Sequence, residues 1–415
     1  MTETHGVRWL STLLVAAALF AVCVAYVPAR GELGEDALVG DAISYASMVR
    51  GERAVPAPFR YRIIVPLLAR ALPVSPPQGL AIVSWASLLA AYLVILASAR
   101  RLGLGRISSA VGLAAAAFTA PHLYHYQNPY LTDATGVLLV AACVHALLRR
   151  RFGAFLFACV VGIGVREALI FASPAWLSTG RWARATTPIA LSLGAFVAIR
   201  GLVGPSTPLE PGPFHDFPAR PLHEIIGEAM AAWHGLWLLA PLGLWLVPSR
   251  RGDLCFLATL LFAGTVITSL VASDTTRMTE PLFPLVALGT ASFLETLWRQ
   301  SRSVAAALVA LSATSSALWQ PVRIFGHVSG VASDGVQAVV LSLLGTASFA
   351  AVALVIGARA RSHGLIGGSP YSGAAECPPV PPLLAASVSA SPVPLSFDSA
   401  PAPPLLLPPV KMGAP

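Results

Sequence analysis

Residues 8 to 357 form a succession of apolar runs separated by short polar stretches rich in arginine. A helix needs about 20 consecutive apolar residues to cross the hydrocarbon core of a bilayer, and the longer runs reach that length. The runs are continuous in alanine, leucine and valine and do not alternate with polar residues. They therefore read as helices, since lipid tolerates only helices and closed barrels. The candidate spans are 8–27, 79–99, 107–123, 133–148, 153–165, 167–177, 185–203, 234–248, 254–272, 281–297, 303–319 and 336–357. The expected fold class is all-α, a polytopic transmembrane helix bundle of about 11–12 spans. Composition excludes a soluble globule: the chain is 56% hydrophobic and 11% charged, against about 25% charged in soluble domains. The first run is long and no A-x-A site follows it, so an uncleaved first span is expected in preference to a signal peptide.

The formal net charge is +8, and Lys411 is the sole lysine. The arginines sit mainly at span ends, where topology accounts for them. No basic stripe with interleaved aromatics is present, so a nucleic-acid partner is not expected. Cys23, Cys143, Cys159, Cys255 and Cys377 include no CxxC pair. Neither a disulfide framework nor a zinc site is indicated.

Arginine placement orients the bundle. The clusters are Arg100, Arg101 and Arg106; Arg149 to Arg151; Arg181 and Arg184; Arg250 and Arg251; Arg299 and Arg302; Arg359 and Arg361. All fall on one side only if residues 153–177 cross twice, as two short segments meeting near Arg166-Glu167. Both termini are then cytoplasmic. The loops at 28–78, 121–132 and 204–233, the Arg166-Glu167 turn and the stretch at 274–280 face outward. Residues 361–415, rich in proline, alanine and serine, are expected to be a disordered cytoplasmic tail to a domain of residues 1–360.

Polar residues on the outward side are the candidates for chemistry. Asp41 follows Gly40 and starts an amphipathic stretch; it reads as an N-cap or as a general base, with Tyr45 one turn on. Glu35 and Asp36 are rivals for the role of base. Arg60 and Arg62 lie between Pro58 and Pro66, and extended geometry there turns both guanidiniums the same way. Paired arginines suit a phosphate; the plainer reading is contact with lipid headgroups. Pro66 is expected to open a helix over 67–72. His122, His125, Asn128, Thr132 and Asp133 stand among tyrosines, a setting that suits a sugar or an interfacial aromatic belt. Arg166 and Glu167 are adjacent, so each needs its own partner. Asp274 and Arg277 can pair locally if helical, and Glu280 follows them before Pro281. His145 reads as a satisfied core histidine.

An acid after the first span, the Pro58-to-Arg62 element, the Asn128 and Thr132-Asp133 helix start, Arg166-Glu167 at a broken helix and Asp274-x-x-Arg277 before a late span together resemble bacterial polytopic glycosyltransferases of the GT-C fold. The resemblance extends over residues 1–360. It implies a GT-C-like bundle that transfers a hexosyl or pentosyl group, with inversion, from a polyprenyl-phosphate-sugar donor. The implied acceptor is a hydroxyl on a glycan, lipid or protein outside the cytoplasmic membrane. Asp41 matches the position of the family's catalytic acid. The implied substrate-binding residues are Tyr45, Arg60, Arg62, His122, His125, Asn128, Asp133, Arg166, Glu167, Asp274 and Arg277. The family often carries a second acid beside the first, and none adjoins Asp41 here. The base and any divalent cation cofactor therefore stay open. A transporter or flippase for an anionic lipid or solute is the alternative; it predicts ionisable residues in the middle of the bundle and inverted repeats.

Overall fold

A computed structural model describes residues 3–26, 33–52, 55–204, 232–233, 236–247, 251–269 and 275–305, with Leu308 and Leu354. Of the expected span 303–319 only 303–305 and 308 are described. The span 336–357, but for Leu354, and the tail 361–415 lie outside the described residues. Among the described residues every regular element is helical. The α-helices are α1 (Glu3–Tyr26), α2 (Asp41–Arg50), α3 (Ile64–Arg70), α4 (Pro76–Arg101), α5 (Arg106–Ala117), α6 (Ala120–Gln127) and α7 (Asp133–Leu148). They continue as α8 (Phe152–Ile163), α9 (Trp182–Val203), α10 (Leu236–Trp245), α11 (Arg251–Ser269), α12 (Thr275–Met278) and α13 (Phe283–Gln300). Four helices among the described residues are long and apolar enough to cross a membrane: 76–101, 184–203, 252–269 and 280–300. Shorter apolar helices stand at most of the other expected spans.

α13 is the central post. Every residue from Phe283 to Leu294 is buried, as a helix apolar on all sides must be. It packs against α10 and α5 at very close range. A Cβ on Gly243 would collide with the Gly289 carbonyl, and one on Gly289 with the Ala240 carbonyl. Small residues at such contacts let backbones approach where no hydrophobic drive separates protein from lipid. α4 and α7 run parallel: Ser87 Oγ lies 2.9 Å from Thr135 Oγ1, and further along Ser98 Oγ lies 3.0 Å from His145 Nδ1. The second bond satisfies His145. α9 is peripheral, with Val197 67% and Leu202 88% exposed, which for so apolar a helix marks a lipid-facing side.

Residues 150–179 form a hairpin. α8 ends at Ile163, the chain turns through Gly164 to Arg166, and a 3₁₀ helix, Glu167–Thr179, returns. Its end lies beside the start of the hairpin, because Asp253 of α11 holds both: Arg150 Nη2 at 2.8 Å and Ser178 Oγ at 2.8 Å. A 3₁₀ helix rises about 2.0 Å per residue, so 13 residues extend about 26 Å, most of a hydrocarbon core.

Two local expectations change. Phe59–Tyr61 is a turn of 3₁₀ helix, not an extended segment. α3 begins at Ile64, so Pro66 sits inside its first turn and does not open it. Proline is tolerated there because first-turn N–H groups have no helical partner.

Candidate functional site

The polar site is built by five segments: α2, the 59–62 turn, the start of α7, the Arg166-Glu167 turn and α12. Gly40, not Asp41, is the N-cap of α2, and no side chain caps it. Its φ of +54° with ψ of −123° is a backbone state that a Cβ strains. That sharp start leaves the Asp41 carboxylate turned away from its own helix, and it meets Arg277 Nη2 at 2.8 Å. Asp133 likewise is the first residue of α7 and caps nothing. Its Oδ1 pairs with Arg166 and its Oδ2 lies 3.0 Å from Arg277 Nε. These are charge contacts without the aligned geometry of hydrogen bonds. Arg166 Nη2 also donates to the Arg277 carbonyl at 3.2 Å, which fixes the two segments together.

Arg62 forms the second half of the network. Its Nε lies 3.1 Å from Glu167 Oε2, and its Nη1 donates to the Tyr45 hydroxyl at 2.9 Å. Thr132, next to Asp133, donates to the same hydroxyl at 3.4 Å. Arg166 and Glu167 thus take separate partners, as adjacent residues on a turn must. The site is graded in exposure: the Asp133 side chain is fully buried, while that of Asp41 is 27% exposed. Burial pushes the Tyr45 phenol above its ordinary value of 10, against the opposing pull of Arg62. Burial disfavours the charge on Arg62, but Tyr45, Glu167 and Asp133 outweigh it and raise its pKa.

Behind this network lies a closed polar knot. His122 Nδ1 and His125 Nε2 stand 2.8 and 3.3 Å from one oxygen of Glu280, all three buried. His122 Nε2 bonds the Tyr92 hydroxyl at 2.8 Å, which bonds that of Tyr126 at 2.7 Å. The His122 ring stacks on Phe283 at 3.8 Å. The knot ties α6 and α4 to the chain just after Arg277.

Other expected residues sit elsewhere. Arg60 Nη2 donates to the Val203 carbonyl at 2.6 Å, at the C-terminus of α9. Arg60 and Arg62 therefore do not converge, because the 3₁₀ turn sends them to different elements. Asn128 closes α6 through bonds to the Tyr124 carbonyl. Glu35 is held at the surface by Arg50 at 3.0 Å, and Asp36 is exposed. Asp274 lies outside the described residues. Among the described residues, no group of three His, Cys, Asp or Glu side chains could hold a metal ion. The sequence pointed to Tyr126 only as one tyrosine of an aromatic loop, gave Glu280 no role and did not single out Tyr92. The signal for Tyr92 was its place in the middle of an apolar helix, where a buried hydroxyl needs a partner.

An apolar cavity of about 430 Å³ opens between α10, α11 and the start of α13. Trp237, Pro241, Phe262, Leu282 and Val286 line it. Leu282, five residues after Arg277 in the chain, forms part of its wall.

No protein-family model matches this sequence, and no curated protein matches it. Among solved structures, the crystal structure of ArnT from Cupriavidus metallidurans bound to undecaprenyl phosphate is similar, with a TM-score of 0.48 and 15% identity. The match covers 88% of this chain and 80% of that one. A likeness of that degree carries no weight for the chemistry of this chain, which rests on its own residues.

Proposed function

We propose that the protein is a multi-pass membrane glycosyltransferase that moves a sugar from a polyprenyl-phosphate carrier to an acceptor hydroxyl. The observation that carries this reading is the convergence of Arg62, Arg166 and Arg277 with Asp41, Asp133 and Glu167 at one end of an apolar bundle. Guanidiniums recognise phosphate through planar, charge-assisted bonds. A partly exposed carboxylate beside them supplies a base, and the apolar cavity walled by Leu282 offers room for a polyprenyl chain. The arginine runs at Arg100-Arg101 and Arg149 to Arg151 stand at the other end of α4 and α7. By the arginine bias that end is cytoplasmic, so on this reading the site opens outside the cytoplasmic membrane.

In this mechanism Asp41 takes the proton of the acceptor hydroxyl. The hydroxyl oxygen bonds to the anomeric carbon from the face opposite the phosphate, and the anomeric C–O bond breaks with its electron pair left on phosphate. The charge that grows there falls to Arg62, Arg166 and Arg277. Before the donor binds, Arg277 neutralises Asp41; a phosphate that draws Arg277 toward itself frees the carboxylate to act. Arg60 has no part in this, since it holds the end of α9. In membranes, sugar transfer by Asp41→Asn tests the assignment, and near-wild-type transfer would refute Asp41 as base.

Buried His122, His125 and Glu280 favour the alternative of a transporter that carries protons with an anion. The enclosure of His122 by Tyr92, Tyr126 and Phe283 favours a structural knot over a pathway. Uptake of labelled lipid-linked sugar into vesicles without transfer to any acceptor would decide for the transporter.

A further inference from the structure

Glu280 stands three residues after Arg277 and is fully buried. Asp41, Asp133 and Glu167 already answer the guanidiniums of Arg277, Arg166 and Arg62. Glu280 is therefore a fourth carboxylate beside three guanidiniums. A buried carboxylate draws in a nearby cation unless other donors satisfy it. Arg166 is subject to that pull. Its Nη2 lies 3.2 Å from the Arg277 carbonyl and 3.3 Å from Met278 Sδ, two residues ahead of Glu280. Besides the cost of burial, Arg166 feels the charge of Asp133 first and that of Glu280 as well. Two buried carboxylates thus compete for one guanidinium.

The histidines of α6 decide that competition. A carboxylate oxygen only accepts, so His122 donates to Glu280 Oε1 from Nδ1 at 2.8 Å. In the neutral ring Nε2 then accepts from the Tyr92 hydroxyl at 2.8 Å, and the ring plane is fixed by its stack on Phe283. His125 lies three residues on, on the same face of α6, and brings Nε2 to the same oxygen at 3.3 Å. Neither nitrogen of His125 makes an aligned hydrogen bond among the described residues, although both are buried. Such a group needs a reason to be there, and the charge of Glu280 supplies it. The other oxygen of Glu280, Oε2, is buried with no hydrogen-bond partner. The balance is therefore narrow: one imidazole fewer leaves the carboxylate short of donors, with Arg166 as the cation at hand.

We propose that His125 is a positioning residue: together with His122 it keeps Glu280 from capturing Arg166, so that the guanidiniums stay at Asp133 and open to the phosphate of the donor. The inference rests on the glycosyltransferase reading for the identity of the ligand, and on geometry alone for the contest between the two carboxylates.

Full-length protein provides the test, with two measurements. One is the donor concentration for half-maximal sugar transfer in membranes. The other is the concentration of farnesyl phosphate, a short polyprenyl phosphate without sugar, that gives half-maximal stabilisation against thermal unfolding in detergent. His125→Leu removes the imidazole N–H and should raise both about tenfold, the worth of one charge-assisted hydrogen bond. His125→Leu/Glu280→Gln also removes the competing carboxylate and should return both to within about twofold of wild type, a coupling that independent sites do not show. His125→Gln, which keeps an N–H donor, should stay near wild type by itself. If the leucine variant does not fold, His125→Phe carries the same test, since it keeps a ring for the contacts with His122 and Tyr124. A merely structural histidine predicts a double variant no better than the single one. That result, an unchanged His125→Leu, or a wild type that farnesyl phosphate does not stabilise would each overturn the proposal. Wild-type protein that transfers no sugar would refute the glycosyltransferase reading, and the farnesyl phosphate measurement would still decide this one.

Discussion

Asp133 and Asp41 share Arg277 yet carry different burdens. Asp133 is the buried counter-charge of two guanidiniums. Asp133→Asn leaves Arg166 without its carboxylate and Arg277 with Asp41 alone, and removal of one partner from a buried ion pair costs about 3–5 kcal/mol. The expected outcome is a large fall in unfolding temperature in detergent, with transfer lost as a consequence. Asp41 is partly exposed, so Asp41→Asn should leave the unfolding temperature near wild type while transfer falls by orders of magnitude. The two arginines of the 59–62 turn separate in the same way. Arg62→Gln should raise the donor concentration needed for half-maximal transfer; Arg60→Gln should leave that value alone and loosen the end of α9, read as faster proteolysis there. Tyr45 gives a pH prediction. Its pKa lies above 10, with burial the main cause, so the phenol stays protonated across neutral and mildly alkaline pH. Tyr45→Phe should therefore lower the rate without changing the shape of the pH–rate profile. At this scale the sequence was legible in residue type and opaque in pairing. Charges at the membrane surface advertise a role, but Asp41 and Arg277 stand 236 positions apart, and a single chain holds no signal of who meets whom.

Elements were easier to read than their inner geometry. Apolar length located the helices, and the one-sided placement of arginine required a double passage through residues 153–177. The hairpin from Arg150 to Ser178, closed on Asp253, has that form. Its second arm is a 3₁₀ helix, which periodicity cannot distinguish from a short α-helix when nearly every residue is apolar. The Phe59–Tyr61 turn escaped for another reason: the proline bias toward extended backbone acts only on the residue immediately before, here Ala57 and Val65, and does not reach 59–61. The close contact of α13 with α10 makes the prediction here. Gly289→Leu forces α13 off α10, and overpacking of this kind costs about 1–3 kcal/mol or more. The variant should unfold earlier, while an alanine on the lipid-facing side of α9, at Val197, should leave stability unchanged.

For the whole molecule, the balance of charge at the polar end has a kinetic meaning. Three guanidiniums are already matched by three carboxylates, so a ligand enters by exchange, its phosphate taking over contacts that the protein makes with itself. A sugar phosphodiester carries one negative charge, about what a displaced carboxylate carried. The polyprenyl phosphate left after transfer is a monoester with a second ionisable oxygen, of charge about −1.5 to −2 near neutral pH. On the proposed function, the same arginines would hold the spent carrier more firmly than the loaded one. Polyprenyl phosphate without sugar should compete with the donor and raise the unfolding temperature more than the donor does, and Arg277→Gln should narrow that difference. Turnover would then be paced by departure of the empty carrier, and would quicken as the medium is acidified enough to protonate it.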